Sequence, residues 1–154
     1  EPEVLQAVEQ TIAPMEDSFP ILTANSAGEG VEMVQQIKSE GNWLGLVLCD
    51  HVMPGQQGVV FANDLDQDPD FKTTRKDLLT GQAGLDATVK AVNEGRLNHY
   101  IAKPWDAENL LSVVKDQLTH FVIRSKMDPT PYMAMLDTQK LAEYICAEGI
   151  ITDR

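Results

Sequence analysis

The chain has 154 residues, and 12 Lys and Arg against 24 Asp and Glu give it a formal net charge of -12. This length fits one domain with a short appendage, and such acidity disfavours non-specific binding to nucleic acid or to anionic membranes. No apolar run approaches the roughly 20 residues that a membrane span needs. Cys49 and Cys146 lack metal-ligand spacing, so we expect free thiols in a reducing, cytoplasmic compartment.

The first half of the chain is expected to alternate helices and strands. Ser26 and Glu29 have the spacing of a capping box, which predicts that a helix starts there. The run from Trp43 to Asp50 is almost wholly apolar, which is typical of a strand covered on both faces. The predicted elements are, in order, a helix over 2–14, a strand over 20–25, a helix over 27–39, a strand over 43–50 and a helix over 57–65.

The second half continues this alternation as far as about residue 123. Asp77 interrupts the apolar run over 75–80, which makes that strand a weaker prediction, and Asp106 can cap the last long helix. The predicted elements are a strand over 75–80, a helix that carries Leu85, Val89 and Val92 before Gly95, a strand over 97–102 and a last long helix that bears Leu110, Leu111, Val114, Leu118 and Phe121. We expect one domain over 1–123, and a linker with a C-terminal amphipathic helix over 124–154.

Alternating strands and helices indicate an α/β fold with a parallel sheet. Right-handed crossovers then place helices on both faces of the sheet. Asp50, Thr80 and Lys103 follow or end three successive predicted strands. The carboxyl ends of parallel strands share one edge, so a carboxylate, a hydroxyl and an ammonium can converge there. This set suits phosphoryl transfer to a carboxylate, which needs positioning and positive charge more than covalent help.

Three short motifs resemble the receiver domain of two-component response regulators over about residues 1–122. They are Asp50-x-x-Met53-Pro54-Gly55, Thr80-Gly81 and Lys103-Pro104. Each motif alone is weak, but their order at successive strand ends is specific. The resemblance implies a flavodoxin-like, doubly wound sheet of five strands in the order 2-1-3-4-5.

The resemblance also implies the roles of individual residues. A sensor histidine kinase would phosphorylate Asp50, with Thr80 and Lys103 contacting the phosphoryl group. Thr80 and Tyr100 would act as the switch. Mg²⁺ would be held by Asp50, the backbone carbonyl of Val52 and an acidic pair. The implied partners are the kinase and an output domain or effector protein, with pairing as a homodimer open, and with no direct contact to nucleic acid or membrane. No independent substrate turnover is expected.

One departure from the family pattern is large. The family's acidic pair ends a first, central strand, and neither that strand nor the pair is in the sequence, which opens at Glu1-Pro2-Glu3. We expect the natural chain to extend upstream. Glu1 and Glu3 are weak substitutes for the pair.

Two other functions stay open beside the first. A degenerate receiver that serves for docking or dimerisation would explain the missing acids. An aspartate-nucleophile phosphatase would carry a second Asp two residues after the first, where Val52 stands. Val52 has no polar side chain that could guide a water molecule to hydrolyse the phosphoryl group, whereas Gln82 could orient one. We expect a phosphoryl group of moderate to long life. His51 is expected to be a partly exposed loop residue.

Overall fold

The computed structural model describes residues 2–53, 56–81, 84–94 and 97–147. Short 3₁₀ turns lie at Ala13–Met15, Pro69–Phe71 and Thr130–Met135. The helices are α1 (Pro2–Ile12), α2 (Ala27–Ser39), α3 (Gly58–Asp66), α4 (Leu85–Asn93), α5 (Ala107–Arg124) and α6 (Thr138–Ala147). The strands are β1 (Leu46–Asp50), β2 (Val52–Met53), β3 (Gln56–Gln57), β4 (Arg75–Thr80) and β5 (His99–Ala102).

The main sheet has three parallel strands in the order β1-β4-β5. Leu48 pairs with Asp77 across the first ladder, and Asp77 pairs with His99 across the second. The predicted α/β class is confirmed. The strands β1, β4 and β5 correspond to the third, fourth and fifth strands of the family's sheet. The two residues of β2 form a short antiparallel pair with those of β3, which was not predicted.

The strand predicted over 20–25 is wrong, because that segment has no strand in the structure. A strand needs a partner to receive its backbone hydrogen bonds, and no described strand lies beside this segment. The strand β1 has one partner, β4, among the described residues, and its Leu46, Val47 and Leu48 are only half-buried. The strand β4 lies between β1 and β5 and is buried from Lys76 to Thr80.

Helices cover both faces of the sheet and divide the core into two clusters. Successive residues of a strand point to opposite faces, so Leu78 faces one cluster and Leu79 the other. The Leu79 cluster holds side chains from α1, α5 and α6. The Leu78 cluster holds side chains from α2, α3 and α4, together with Cys49. Burial raises the pKa of the Cys49 thiol to about 12, which agrees with an inert thiol.

Side-chain caps set the beginnings of two helices where the sequence predicts them. The Ser26 hydroxyl accepts a hydrogen bond from the backbone N–H of Glu29 (3.2 Å) at the start of α2. The Asp106 carboxylate accepts one from the N–H of Asn109 (2.7 Å) at the start of α5. Each cap satisfies a backbone donor that the first helical turn leaves without a partner.

The segment after α5 turns back and packs against that helix. Leu136 and Leu141 are buried in the same cluster as Val114 and Leu118 of α5. The backbone N–H of Asp137 donates to the Thr119 hydroxyl (2.8 Å). The expected C-terminal amphipathic helix forms as α6, over Thr138–Ala147. The domain boundary expected at about residue 123 stays a prediction.

Candidate functional site

The backbone brings the ends of the three parallel strands to one edge of the sheet. Asp50 is the last residue of β1, Thr80 is the last of β4, and Lys103 follows β5 directly. The N–H of Lys103 donates to the carbonyl of Thr80 (2.8 Å), which holds the end of β5 beside the end of β4. The three residues expected from the sequence therefore lie on neighbouring strand ends.

Lys103 and Asp50 are in direct contact. Lys103 Nζ lies 2.7 Å from Asp50 Oδ1, and the two side chains are 23% and 17% exposed. This is the distance of a charge-assisted hydrogen bond, which is stronger than a bond between neutral groups. The pair joins residues 53 positions apart in the sequence. A carboxylate with an adjacent ammonium is thus in place at this edge.

The two expected switch residues lie on β4 and β5, beside the strand ends that carry the pair. Thr80 is buried, and its hydroxyl donates to the carbonyl of Gly81 (3.1 Å). Tyr100 is half-buried and shares a face of the sheet with Leu78, its partner in β4. His99 faces the other way, toward α5, where it lines a cavity with Ser112.

His51 is buried, so the expectation of a partly exposed loop residue is wrong. Its backbone N–H still donates to the carbonyl of Leu79 (2.9 Å), which continues the ladder one residue past β1. The imidazole ring packs against Gly84, at the start of α4, so closely that a Cβ at that position would overlap it. Only a residue without a side chain fits there, and the ring is covered as a result.

The described residues do not form a magnesium site by themselves. Among them, no group of three His, Cys, Asp or Glu side chains could hold a metal ion. Asp50 contributes one carboxylate, and the backbone of Val52 is paired with Gln57. Glu3 is exposed in the first turn of α1. Glu1, Gln82 and the Pro54-Gly55 turn lie outside the described residues. Mg²⁺ prefers several oxygen ligands in octahedral geometry, which one carboxylate does not supply.

Asp77 is a buried acid to which the sequence assigns no role. Its side chain is 0% exposed, and neither carboxylate oxygen has a hydrogen-bond partner within the described part of the chain. Burial raises the pKa of Asp77 from 3.8 to about 7. The position of Asp77 inside an apolar strand is the sequence signal that could have indicated a buried acid.

A family model for the response regulator receiver domain matches residues 1–115. The chain belongs to this family. It is therefore a signalling receiver of two-component systems. Within the described ranges, no helix has the length and apolar character that a membrane crossing would require.

Individual relatives agree with the family model. The hydrogenase transcriptional regulatory protein HoxA of Cupriavidus necator is 25% identical over 136 residues, which cover 83% of this chain and 27% of HoxA. The chain thus spans about a quarter of that relative's length. The probable transcriptional regulator ycf29 of Cyanophora paradoxa is 30% identical over 86 residues, which cover 55% of this chain and 40% of ycf29.

Solved structures show the same fold. The signal receiver domain of an HD domain-containing protein from Pseudomonas fluorescens Pf-5 has a TM-score of 0.69 at 25% identity, with 82% of this chain and 86% of that one covered. A response regulator receiver domain protein from Clostridium thermocellum has a TM-score of 0.63 at 25% identity, with coverage of 82% and 90%.

Proposed function

We propose that Asp50 accepts a phosphoryl group from a sensor histidine kinase and that the chain passes this state to an output domain or effector protein. The observation that carries the proposal is the contact between Lys103 Nζ and Asp50 Oδ1 at 2.7 Å. The family membership supports it, because the matched residues 1–115 include both Asp50 and Lys103.

The proposed step uses the carboxylate as a nucleophile. An Asp50 oxygen attacks the phosphorus of phosphohistidine, an O–P bond forms, and the N–P bond to the imidazole breaks. The freed imidazole nitrogen of the kinase keeps the electron pair. Negative charge is spread over the equatorial phosphoryl oxygens during the transfer, and the Lys103 ammonium is close enough to stabilise it. The product is an acyl phosphate on Asp50, so the chain accepts a group and has no independent turnover.

Mg²⁺ is the cofactor that receivers generally bind, and we propose it here only together with carboxylates beyond those described. Asp50 alone does not make the site, so no step above is assigned to the metal. When bound, the ion would supply further positive charge to the phosphoryl oxygens.

The switch is proposed to involve Thr80 and Tyr100. The Thr80 hydroxyl bonds to the Gly81 carbonyl, so it must turn away from that carbonyl to contact a phosphoryl group on Asp50. Tyr100 is half-buried, on the face of β5 that Thr80 shares across the ladder. A local charge on Asp50 would bias these two side chains and change the surface of α4, β5 and α5.

A second candidate function is a degenerate receiver that docks or dimerises without phosphorylation. The observation that favours it is the missing three-acid cluster among the described residues. In that case the Lys103–Asp50 pair would be a structural contact only.

The two functions are separated by treating the chain with a small acyl-phosphate donor, with Mg²⁺ or with EDTA, and weighing it intact. We expect the wild type to gain one phosphoryl group with Mg²⁺. Asp50→Asn should gain none, and Lys103→Met should react roughly tenfold to a hundredfold more slowly, because a preorganised cation is lost.

Asp17→Asn is the matched control and should react like the wild type, because Asp17 is exposed in a turn after α1. If the wild type gains no phosphoryl group while it stays folded and forms a stable dimer, phosphoryl acceptance is rejected in favour of the docking function.

A further inference from the structure

An open groove of ≈ 230 Å³ lies between α2 and α3, on the face of the sheet opposite α1 and α5. Its lining includes four buried apolar side chains, which are Val34, Phe61, Leu65 and Phe71. Both helices are otherwise packed on the sheet through this cluster. The groove therefore has an apolar floor that is already ordered by the core.

Apolar side chains are also exposed along the two helices that form the walls. Val31 of α2 lines the groove and is 46% exposed. Val60 of α3 is 42% exposed, and it lies one turn before Asp64, which lines the groove. An exposed apolar side chain at the wall of an apolar groove is typical of a site for another molecule.

The rim of the groove is acidic. Asp64 and Asp68 line it, and none of its described lining residues is basic. Lys38 offsets part of this charge through contacts to Asp68 (2.9 Å) and Asp70 (3.4 Å). Asp64 accepts a hydrogen bond from the neutral Gln56 amide (3.3 Å), and among the described residues no basic side chain forms an ion pair with it. An occupant with positive charge beside its apolar side chains would match this surface.

We propose that the groove between α2 and α3 docks a basic amphipathic helix of a partner protein. One or two aliphatic side chains would fill the groove, with Lys or Arg beside them facing Asp64. A groove between two helices suits this mode, in which residues on one helical face serve as anchors. Asp50 and Lys103 lie at the sheet edge and do not line the groove. Docking therefore does not require phosphorylation.

The probe is a fluorescein-labelled 18-residue peptide with a stripe of Leu at helical spacing and Lys elsewhere, read by fluorescence anisotropy. Its counterpart with Glu in place of Lys should not bind. Val31→Gln should weaken binding by roughly tenfold, since an apolar contact of that size is lost. Val60→Gln, one helical turn from Asp64 and outside the groove lining, should weaken it less. Gln suits helices and both positions are exposed, so circular dichroism should show an unchanged fold.

Met133→Gln is the matched control, because Met133 is 41% exposed and lies outside the groove. It should bind the peptide like the wild type. Asp64→Asn should weaken binding and flatten its salt dependence, whereas Asp17→Asn should affect it less.

Three results would overturn the proposal. The first is unchanged affinity in Val31→Gln, and the second is an equal loss in Met133→Gln. The third is self-association of the chain in sedimentation that Val31→Gln abolishes, which would make a second copy the occupant. Amide shifts on titration should concentrate in residues 31–38 and 56–71.

Discussion

The groups around Asp77 come from its own strand β4, from the neighbouring strands β1 and β5, and from α5. Arg75 lies on the same face of β4, Leu48 and His99 are its partners in the neighbouring strands, and α5 contributes Asp116. Arg75 Nε donates a hydrogen bond to the side-chain amide oxygen of Gln117 (3.1 Å) rather than to Asp77. The carboxylate of Asp77 therefore has a nearby positive charge without a hydrogen bond. Burial dominates, and this is why the pKa rises to about 7.

We expect Asp77→Asn to stabilise the fold more at pH 8 than at pH 4. The folded-state pKa is about 7 and the ordinary value is 3.8, so the folded protein binds the extra proton between these values. The wild type therefore loses stability as pH rises from about 4 to 7, and the amide does not. Between pH 4 and pH 7 the free energy of unfolding of the variant should rise relative to that of the wild type by about 2–4 kcal/mol. Urea unfolding at several pH values measures it.

Asp17→Asn serves as the control, because Asp17 is exposed. Its free energy of unfolding should follow that of the wild type across the same pH series. A constant difference between Asp77→Asn and the wild type would mean that Asp77 has the same pKa in the folded and unfolded chains, which contradicts the raised pKa.

At the scale of elements, the end of β1 and the start of α3 approach so closely that a glycine is required. A Cβ at Gly58 would overlap the backbone carbonyl of Asp50 and would lie 2.7 Å from Leu78 Cδ2. The N–H of Gly58 also donates to the carbonyl of His51 (2.9 Å). The candidate phosphoacceptor is thus held partly by the first turn of α3.

Gly58→Ala should lower the free energy of unfolding by about 1–3 kcal/mol, because backbone must move to admit the methyl group. Gly28→Ala is the matched control, since it also lies in a first helical turn but its Cβ would meet only Ser26 Oγ at 4.0 Å. That variant should be neutral or slightly stabilised. Thermal unfolding of both proteins checks this, and an equal loss in Gly28→Ala would contradict the steric explanation.

The sequence predicts an element well where its signal is local. The caps Ser26 and Asp106 indicate helix starts because each side chain bonds to a backbone group three residues away. The strand at Arg75–Thr80 forms with the predicted bounds despite Asp77, because it has a neighbour on each side. The 20–25 segment fails because a strand depends on a partner that local sequence does not reveal.

At the scale of the whole molecule, the C-terminal segment shares the core with α1 and α5. Leu141 is buried beside Leu136 in the same cluster as Val8 of α1. Lys140 is paired with Asp116 of α5, which lowers the pKa of that carboxyl against the opposing effect of burial. We therefore expect this segment and the sheet to unfold together.

Leu141→Ala should lower the free energy of unfolding by about 2–4 kcal/mol, because it leaves a cavity in the shared core. Unfolding should remain a single transition by both circular dichroism and tryptophan fluorescence. Met133→Ala, at an exposed position, should change stability by less than about 0.5 kcal/mol. Two separate transitions would contradict a shared core.

By itself, the sequence determined the α/β class, the helix starts and the three residues at the strand ends, because periodicity, caps and strand-terminal polar residues are local signals. It also indicated the receiver family through motifs at Asp50, Thr80 and Lys103. Only the tertiary structure decided that Lys103 contacts Asp50, that His51 is covered by Gly84, and that Asp77 has no hydrogen-bond partner among the described residues. These facts depend on contacts between residues distant in sequence. Their distances, burial and partners exist only once the strands and helices are packed.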